Sequence, residues 1–259
     1  MFYLLKCTQV KKRGLFSRLF SSGITVTAHR KSGADYYLVE MLVTKDIDWV
    51  KLERVIGKNQ KIVLPKGLKI PPTVSLKAYP TDGIKGRLLG EGALQVVEQA
   101  AKQNPNLSVM LIDQSGKYNY LLTPLMRAAQ TVTAVTADKE SYSQSARCLL
   151  NTLGASPLIT DSTQRAAASS VIIAPDGISG CGTLPLPTTI FATGGSDFFS
   201  VEEENIDLGS MKDLAWADKL QLAAALAEQP DFSGTLPYAR SMKRGNQIFT
   251  LAQIAEGLL

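Results

Sequence analysis

The stretch that decides the fold is 107-LSVMLIDQSGKYNYLLTPLMRAA-129, near the middle of the 259-residue chain. It begins with a mostly apolar run, passes through the turn Asp-Gln-Ser-Gly and continues with apolar residues at helical spacing. This pattern predicts a buried strand at 107–113, a tight turn and a helix at 118–129. A strand that is apolar on both faces is typical of a parallel sheet with helices on each side.

The same alternation continues along the rest of the chain. The spacing of apolar residues predicts parallel strands that alternate with helices, which implies an α/β fold. Because crossovers between parallel strands are right-handed, we expect a doubly wound, mainly parallel, Rossmann-like sheet. The predicted strands after 107–113 are 131–137, 156–160, 170–177 and 188–195; the predicted helices are 86–103, 140–154, 162–169, 212–229 and 250–259.

The first third of the chain has a different character. It reads as short strands at 1–10, 24–30 and 36–43 and a short helix at 46–57, and the first two strands are expected to pair as a hairpin. Residues 1–85 hold 16 Lys and Arg against 6 Asp and Glu, whereas residues 86–259 hold 12 against 17. We therefore predict two domains: a small basic, β-rich α+β module at 1–85, and a Rossmann-like α/β domain with C-terminal helices at 86–259.

The basic charge of the first module predicts an acidic partner. Lys11–Ser22, with the sequence KKRGLFSRLFSS, combines basic side chains with Leu and Phe, which suits a membrane surface or the groove of a partner. The alternative is an arm that covers its own module or a second copy of the chain. Residues 11–30 are thus predicted to contact an acidic partner or to form a homo-oligomer, with nucleic acid as a further candidate.

The composition excludes several classes of chemistry. With His29 as the one histidine, neither a His-rich metal cluster nor a Ser-His-Asp mechanism has residues to build on, and no metal site is predicted. The three cysteines fit reduced thiols. No secretory signal and no apolar run of about 20 residues is present, so we expect a cytoplasmic protein without a transmembrane segment.

Polar and glycine residues follow the predicted strands at their carboxyl ends, where open parallel sheets bind ligands. Such a rim suits a small metabolite or a nucleotide. The candidate ligand-binding residues are Asp113, Ser115, Gly116, Thr136, Asp138, Asp176, Gly194 and Gly195.

At the level of the fold, residues 107–195 resemble the NAD(P)-binding Rossmann superfamily. Asp138 lies 22 residues beyond Gly116, where an NAD-binding member places the acid that binds the ribose hydroxyls. The glycine-rich loop is absent, because Asp113, Ser115 and Tyr118 stand at the three glycine positions. The resemblance implies NAD(P) as the cofactor, but side chains at these positions keep the backbone away from a pyrophosphate and disfavour it.

A second resemblance is to haloacid-dehalogenase-like phosphatases, since Asp113, Thr136 and Asp176 stand where these enzymes place a nucleophile, a hydroxyl and an acid. Ser115 replaces the expected acid/base aspartate, and Lys139 is the available phosphate-binding lysine. The sequence leaves open whether the protein is an enzyme. The leading hypothesis is a non-catalytic or regulatory protein that binds a small metabolite or nucleotide. The alternatives are a divergent NAD(P)-dependent oxidoreductase and a phosphatase of this type.

Overall fold

The structure is a computed structural model that describes residues 1–9, 23–43, 46–163, 169–178, 189–195 and 197–258. Chain contacts divide it into two compact units. The first comprises Met1–Thr81 and Leu208–Pro237, and the second comprises Asp82–Asp207 and Tyr238–Leu259. Residues 11–22 of the predicted partner-binding segment 11–30 lie outside the described residues, as do 164–168 of the predicted helix 162–169.

The described helices and strands are numbered in chain order. The helices are α1 Trp49–Ile56, α2 Asp82–Ala101, α3 Leu122–Ala128, α4 Lys139–Leu153, α5 Lys219–Ala227 and α6 Leu251–Glu256. The strands are β1 Phe2–Gln9, β2 Ile24–Lys31, β3 Ala34–Val43, β4 Lys61–Val63, β5 Lys77–Ala78, β6 Ser108–Ile112, β7 Thr131–Val135, β8 Leu158–Thr160, β9 Val171–Ala174, β10 Thr189–Ala192, β11 Ile206–Asp207, β12 Tyr238–Ala239, β13 Ser241–Arg244 and β14 Gln247–Thr250.

The first unit contains a five-stranded sheet in the order β2-β3-β1-β4-β5. β1 is parallel to both of its neighbours, β3 and β4, and β5 continues the parallel set beside β4. Leu4 and Leu5 of β1 are both fully buried, which is typical of a central strand covered on both faces. This unit is therefore itself an α/β structure with a largely parallel sheet.

The predicted hairpin between β1 and the strand at 24–30 is wrong. β2 pairs antiparallel with β3, and the turn between them is formed by Ser32 and Gly33. Both turn residues have positive φ angles, 49° and 80°, which a two-residue hairpin turn of the favoured hand requires. The mostly exposed side chains of β2 fit its position at the edge of the sheet.

Two helices of the first unit begin at aspartate caps. The side chain of Asp48 accepts a hydrogen bond from the backbone of Lys51 at the start of α1, and Asp218 does the same for Gln221 at the start of α5. α5 is buried along Leu220–Leu226, and Gln221 reaches from it to accept a 3.1 Å hydrogen bond from the backbone of Leu64. The predicted helix 212–229 is in fact a 3-10 turn at Gly209–Leu214 followed by α5.

The second unit contains a five-stranded parallel sheet in the order β10-β9-β6-β7-β8. Numbered by position in the chain, its strands run 5-4-1-2-3, which is compatible with a Rossmann-like fold. The register places Ile112 beside Val135 and Leu111 beside Ile173, and these side chains are buried. The predicted helix 118–129 is split into a 3-10 turn at Asn119–Leu121 and α3.

The remaining elements of the second unit are small. β11 pairs with β12, β13 forms a hairpin with β14, and α6 begins at a capping box formed by Thr250 and Gln253. Among the described residues, no helix is both long and apolar enough to cross a membrane.

Candidate functional site

The central strand of the second unit, β6, marks the point where the strand order reverses. The chain runs from β6 to β7 and β8 on one side, and then crosses to β9 and β10 on the other. In open parallel sheets this arrangement leaves a crevice at the carboxyl ends of the two strands on either side of the reversal. The residues after β6 and after β9 therefore occupy the expected ligand position.

Asp113 directly follows β6 and is fully buried. Its Oδ2 accepts hydrogen bonds of 2.7 Å from the backbone N–H of Tyr118 and 2.7 Å from the hydroxyl of Tyr142. Its Oδ1 accepts one of 3.2 Å from the backbone N–H of Lys117. These donors compensate the loss of hydration, so Asp113 fixes the turn between the sheet and the helix.

The donors to Asp113 include the amides that a phosphate-binding turn presents to its ligand. In such turns, the N–H groups at the start of the following helix point at the phosphate. Here the N–H groups of Lys117 and Tyr118 point at a carboxylate of the same chain. These two N–H groups are thus already occupied by a side chain of the turn itself.

Asp176, after β9, is joined to the turn after β6 across the reversal point. Ser115 Oγ lies 2.6 Å from Asp176 Oδ2 and 3.1 Å from Asp113 Oδ1. Because a serine hydroxyl has one proton to donate, the shorter contact, to Asp176, holds it. Tyr118 Oη donates a second hydrogen bond, of 3.1 Å, to Asp176 Oδ1. These bonds bridge the crevice between β6 and β9.

Asp138 lies on the other side of the same turn. Gly116 has a φ of +74°, and a Cβ atom added to it would lie 2.7 Å from Asp138 Oδ2. Asp138 Oδ1 caps α4 through the backbone N–H of Ser141, and its own N–H donates to Thr136 Oγ1. Thr136 is buried, so it positions Asp138 and does not face the rim.

The rim continues from Asp176 to the loop after β10. A Cβ atom added to Gly177 would lie 3.1 Å from the carbonyl oxygen of Thr193, whose hydroxyl donates a 2.9 Å hydrogen bond to the carbonyl of Pro175. Gly194 and Gly195 follow directly, with φ angles of +84° and +90°, and both are exposed. Seven of the eight predicted residues, all except the buried Thr136, therefore lie along one rim, from Asp138 through Asp113, Ser115, Gly116 and Asp176 to Gly194 and Gly195.

Two tyrosines complete the site, and the sequence did not single them out as site residues. Burial raises the pKa of Tyr142, and the hydrogen bond to Asp113 raises it further. Burial likewise raises the pKa of Tyr118, with the Asp176 charge and hydrogen bond acting in the same direction. Both phenols therefore remain protonated hydrogen-bond donors at neutral pH. The presence of Tyr118 at the third of the three glycine positions was a local signal for that residue, whereas no local pattern indicated Tyr142.

The lysine that the phosphatase resemblance requires is engaged elsewhere. Lys139 Nζ forms a 2.6 Å ion pair with Asp161, and this hydrogen bond holds the pKa of Asp161 below its usual value. Asn119 donates a hydrogen bond to the hydroxyl of Ser141 on α4. Its own Oδ1 is buried without a hydrogen-bond partner among the described residues. In the described part of the chain, no three His, Cys, Asp or Glu side chains are grouped as a metal ion requires.

The rim is therefore rich in carboxylates, closed at its centre by internal hydrogen bonds and flanked by exposed glycines. Its most accessible acidic groups are Asp138 and Asp176, both of which are exposed. Comparison of the chain with protein-family models, with curated proteins and with solved structures found no match.

Proposed function

We propose that this is a non-catalytic or regulatory cytoplasmic protein that binds a small metabolite or nucleotide at the rim of its second unit. The observation that supports this proposal is the burial and hydrogen bonding of Asp113. Its carboxylate is buried and accepts hydrogen bonds from Tyr118, Tyr142 and Lys117. A group held in this way serves the architecture of the turn and is not presented to a substrate.

The chemistry of the rim favours a ligand that donates hydrogen bonds. Asp138 and Asp176 are acceptors, and their charges repel a phosphate group. Hydroxyl groups, such as those of a ribose, or amino groups match such acceptors. We therefore propose that a nucleotide would bind here through its sugar, with its phosphates directed away from Asp113.

We also propose that the sheet of the second unit is doubly wound. The strand order 5-4-1-2-3 supports a doubly wound sheet, because it is the order that two oppositely directed sets of crossovers produce. A doubly wound sheet explains why the turn after β6 and the loop after β9 meet at one crevice.

We further propose that the first unit is a basic module that contacts an acidic partner. It holds 17 Lys and Arg against 9 Asp and Glu. A second copy of the chain and a nucleic acid are the competing partners for residues 11–30. Binding to nucleic acid would weaken steeply as salt is raised, whereas apolar self-association would not, so a salt titration combined with light scattering separates them.

A thermal-shift series tests the rim. Adenosine, AMP, NAD⁺ and NADP⁺ would each be added to the full chain, and a ligand at about 100 times its Kd adds about 2.7 kcal/mol to stability. The expected result is a shift with adenosine or AMP that Asp138→Asn abolishes and the matched control Glu98→Gln, on exposed α2 surface, retains. No shift with any of these ligands would overturn the proposal of nucleotide binding at the rim.

A divergent NAD(P)-dependent oxidoreductase is the second candidate, because Asp138 stands beside the turn as a ribose-binding acid would. It predicts that NAD⁺ or NADP⁺ gives the largest shift in the same series. A shift that requires both the adenine and the nicotinamide halves would favour it over the regulatory proposal. Hydrolysis of p-nitrophenyl phosphate with Mg²⁺, lost in Asp113→Asn, would instead favour a phosphatase.

A further inference from the structure

The first unit contains a cavity that the predicted site does not include. Its volume is about 560 Å³, within the range of about 300–1,000 Å³ that small-molecule sites occupy. Among the described residues, its walls include Cys7 near the end of β1, Val43 at the end of β3, Trp49 at the start of α1, and Pro65 and Leu68 after β4. The cavity therefore opens at the carboxyl ends of three parallel strands.

The topology of the first sheet places this cavity at a second reversal point. Its parallel strands, numbered in chain order, run 2-1-3-4, with β3, β1, β4 and β5 as the four strands. The order reverses between β1 and β4, and the carboxyl ends of those two strands are where an open parallel sheet binds its ligand. Cys7 and Gln9 come from β1, and Pro65 follows β4, so both sides of the reversal contribute to the cavity.

The lining has the composition of a small-molecule site. Cys7, Trp49 and Leu68 pack against the core of the first unit but are only partly buried, so they present apolar surface to the cavity. Trp49 contributes an aromatic ring to the lining and Pro65 and Pro71 contribute apolar pyrrolidine rings, and a planar ring system can pack against such groups. Gln9, Asp46 and Lys66 add an amide, an acceptor and a donor to the same lining.

The walls are fixed by contacts within the first unit. Trp49 is the first residue of α1, directly after the cap Asp48. Pro65–Leu68 form a tight turn in which Leu68 N donates to Pro65 O at 3.1 Å, and Gly67 adopts a φ of +76°. A bridge between Pro65 and Ala217 holds this turn from the other side. A site built on such elements loses little conformational freedom when a ligand binds.

We propose that this cavity binds a small, uncharged planar heterocycle, stacked on the ring faces of Trp49, Pro65 and Pro71. The polar edge of the heterocycle faces Gln9, Asp46 and Lys66. Together these side chains supply the donors and acceptors that match a ring edge on which donor and acceptor groups alternate. The site is separate from the rim of the second unit and does not depend on a ligand binding there.

Lumichrome and adenine serve as probes, because both are uncharged planar heterocycles of different size and neither has the sugar hydroxyls through which a nucleotide is proposed to bind the rim. Each is titrated into the full chain by calorimetry, with lumichrome fluorescence as a second readout. The expected result is saturable binding of at least one probe with one equivalent per chain. Trp49→Ala should weaken it by about tenfold or more, whereas Val50→Ala, on the exposed face of the same helix, should leave it within about twofold.

The rate at which the Cys7 thiol is alkylated shows whether a probe binds in this cavity. In the Cys148→Ser, Cys181→Ser variant Cys7 is the remaining thiol, and the bound probe should slow its alkylation by iodoacetamide by about fivefold or more. Absence of saturable binding of both probes up to about 1 mM would overturn the proposal. So would binding that Trp49→Ala leaves unchanged in a folded variant, or binding that leaves the alkylation rate of Cys7 unaltered.

Discussion

The hydroxyl of Tyr142 on α4 donates a 2.7 Å hydrogen bond to Oδ2 of Asp113 at the end of β6. Both residues are fully buried. The same oxygen accepts the backbone N–H of Tyr118, so one carboxylate joins the central strand, the turn that follows it and the helix after the next strand. The buried carboxylate thus holds these three elements together at the turn.

Replacing Asp113 with Asn should destabilise the protein by about 3 kcal/mol. The amide keeps the shape of the side chain but replaces one acceptor oxygen with an NH₂ group, which is itself a donor. At least one buried N–H or O–H that donates to Asp113 is then left without an acceptor. Tyr142→Phe removes one donor and keeps the carboxylate, so we expect a smaller loss, of about 1–2 kcal/mol. Urea unfolding of each variant measures these differences.

The control for this pair is Asp161→Asn at the exposed ion pair with Lys139. It should change stability much less than Asp113→Asn does, since exposed ion pairs contribute little. If Asp113→Asn were as stable as Asp161→Asn, the hydrogen bonds to Asp113 would not be what holds the turn.

The stability of the fold should fall in alkaline solution because of the buried tyrosines. In the unfolded chain a tyrosine ionises near pH 10, whereas burial and Asp113 raise the pKa of Tyr142 in the folded state. Its contribution is thus fully present below about pH 10 and declines above it, by up to about 1.4 kcal/mol per pH unit. Urea midpoints measured from about pH 8 to pH 11 should decline less steeply in Tyr142→Phe. Parallel declines in the two proteins would contradict this assignment.

The sequence predicted the parallel strands of the second unit because a buried strand has a local signature. Residues 109–112 are apolar without interruption, and they lie within β6, Ser108–Ile112. The partner of β1 has no such signature. Leu4 pairs with Leu38 on one side and with Val63 on the other, and both choices depend on distant segments coming together. An alternating pattern alone could not separate this arrangement from a hairpin.

In the candidate site, too, some features follow from the local sequence and others depend on distant segments coming together. The position of Asp113 at the end of a strand follows from the local pattern, and its neighbours Ser115 and Gly116 follow with it. Its strongest side-chain partner, Tyr142, is set by where α4 lies on the sheet, which the sequence of the turn does not encode. The bridge from Ser115 to Asp176 likewise depends on β9 lying beside β6.

Gly86→Ala should destabilise the protein, whereas Gly83→Ala on the same helix should not. A Cβ atom at Gly86 would lie 2.1 Å from the Tyr118 hydroxyl and 2.8 Å from the Pro175 carbonyl, so the turn or the helix must move. We expect a loss of about 2 kcal/mol from this overpacking. Gly83 has no atom within 4 Å of its added Cβ and should gain about 0.5 kcal/mol in helix propensity. Urea unfolding compares the two, and equal stabilities would contradict the close approach of α2 to Tyr118.

Removing the bridge across the crevice should loosen the rim with little loss of global stability. The Ser115→Ala, Tyr118→Phe double variant deletes both hydrogen bonds to Asp176, which is itself exposed, at a cost of about 1 kcal/mol. Amides in 114–118 and 175–178 should then exchange hydrogen faster, as measured by mass spectrometry. Tyr120→Phe, on an exposed neighbour in the same turn, is the control and should leave their exchange unchanged. Unaltered exchange in the double variant would show that the bridge does not restrain the rim.

Gly33→Ala should be the more damaging of two substitutions at positive φ angles in the first unit. Gly33 and Gly67 have φ angles of +80° and +76°, so alanine is strained at both, by about 1 kcal/mol. Gly67 has open space around it, whereas a Cβ atom at Gly33 would lie 2.0 Å from the carbonyl oxygen of Asp231.

That contact belongs to the place where the hairpin between β2 and β3 meets the segment Leu208–Pro237, and the backbone of Ser233 donates a 2.9 Å hydrogen bond to Ser32 beside it. Gly33→Ala should therefore cost about 3 kcal/mol and expose residues 228–237 to proteolysis, whereas Gly67→Ala should cost about 1 kcal/mol and leave cleavage unchanged. Urea unfolding and limited proteolysis measure the two effects. Equal losses in both variants would mean that the hairpin and this segment are held together by contacts other than the one at Gly33.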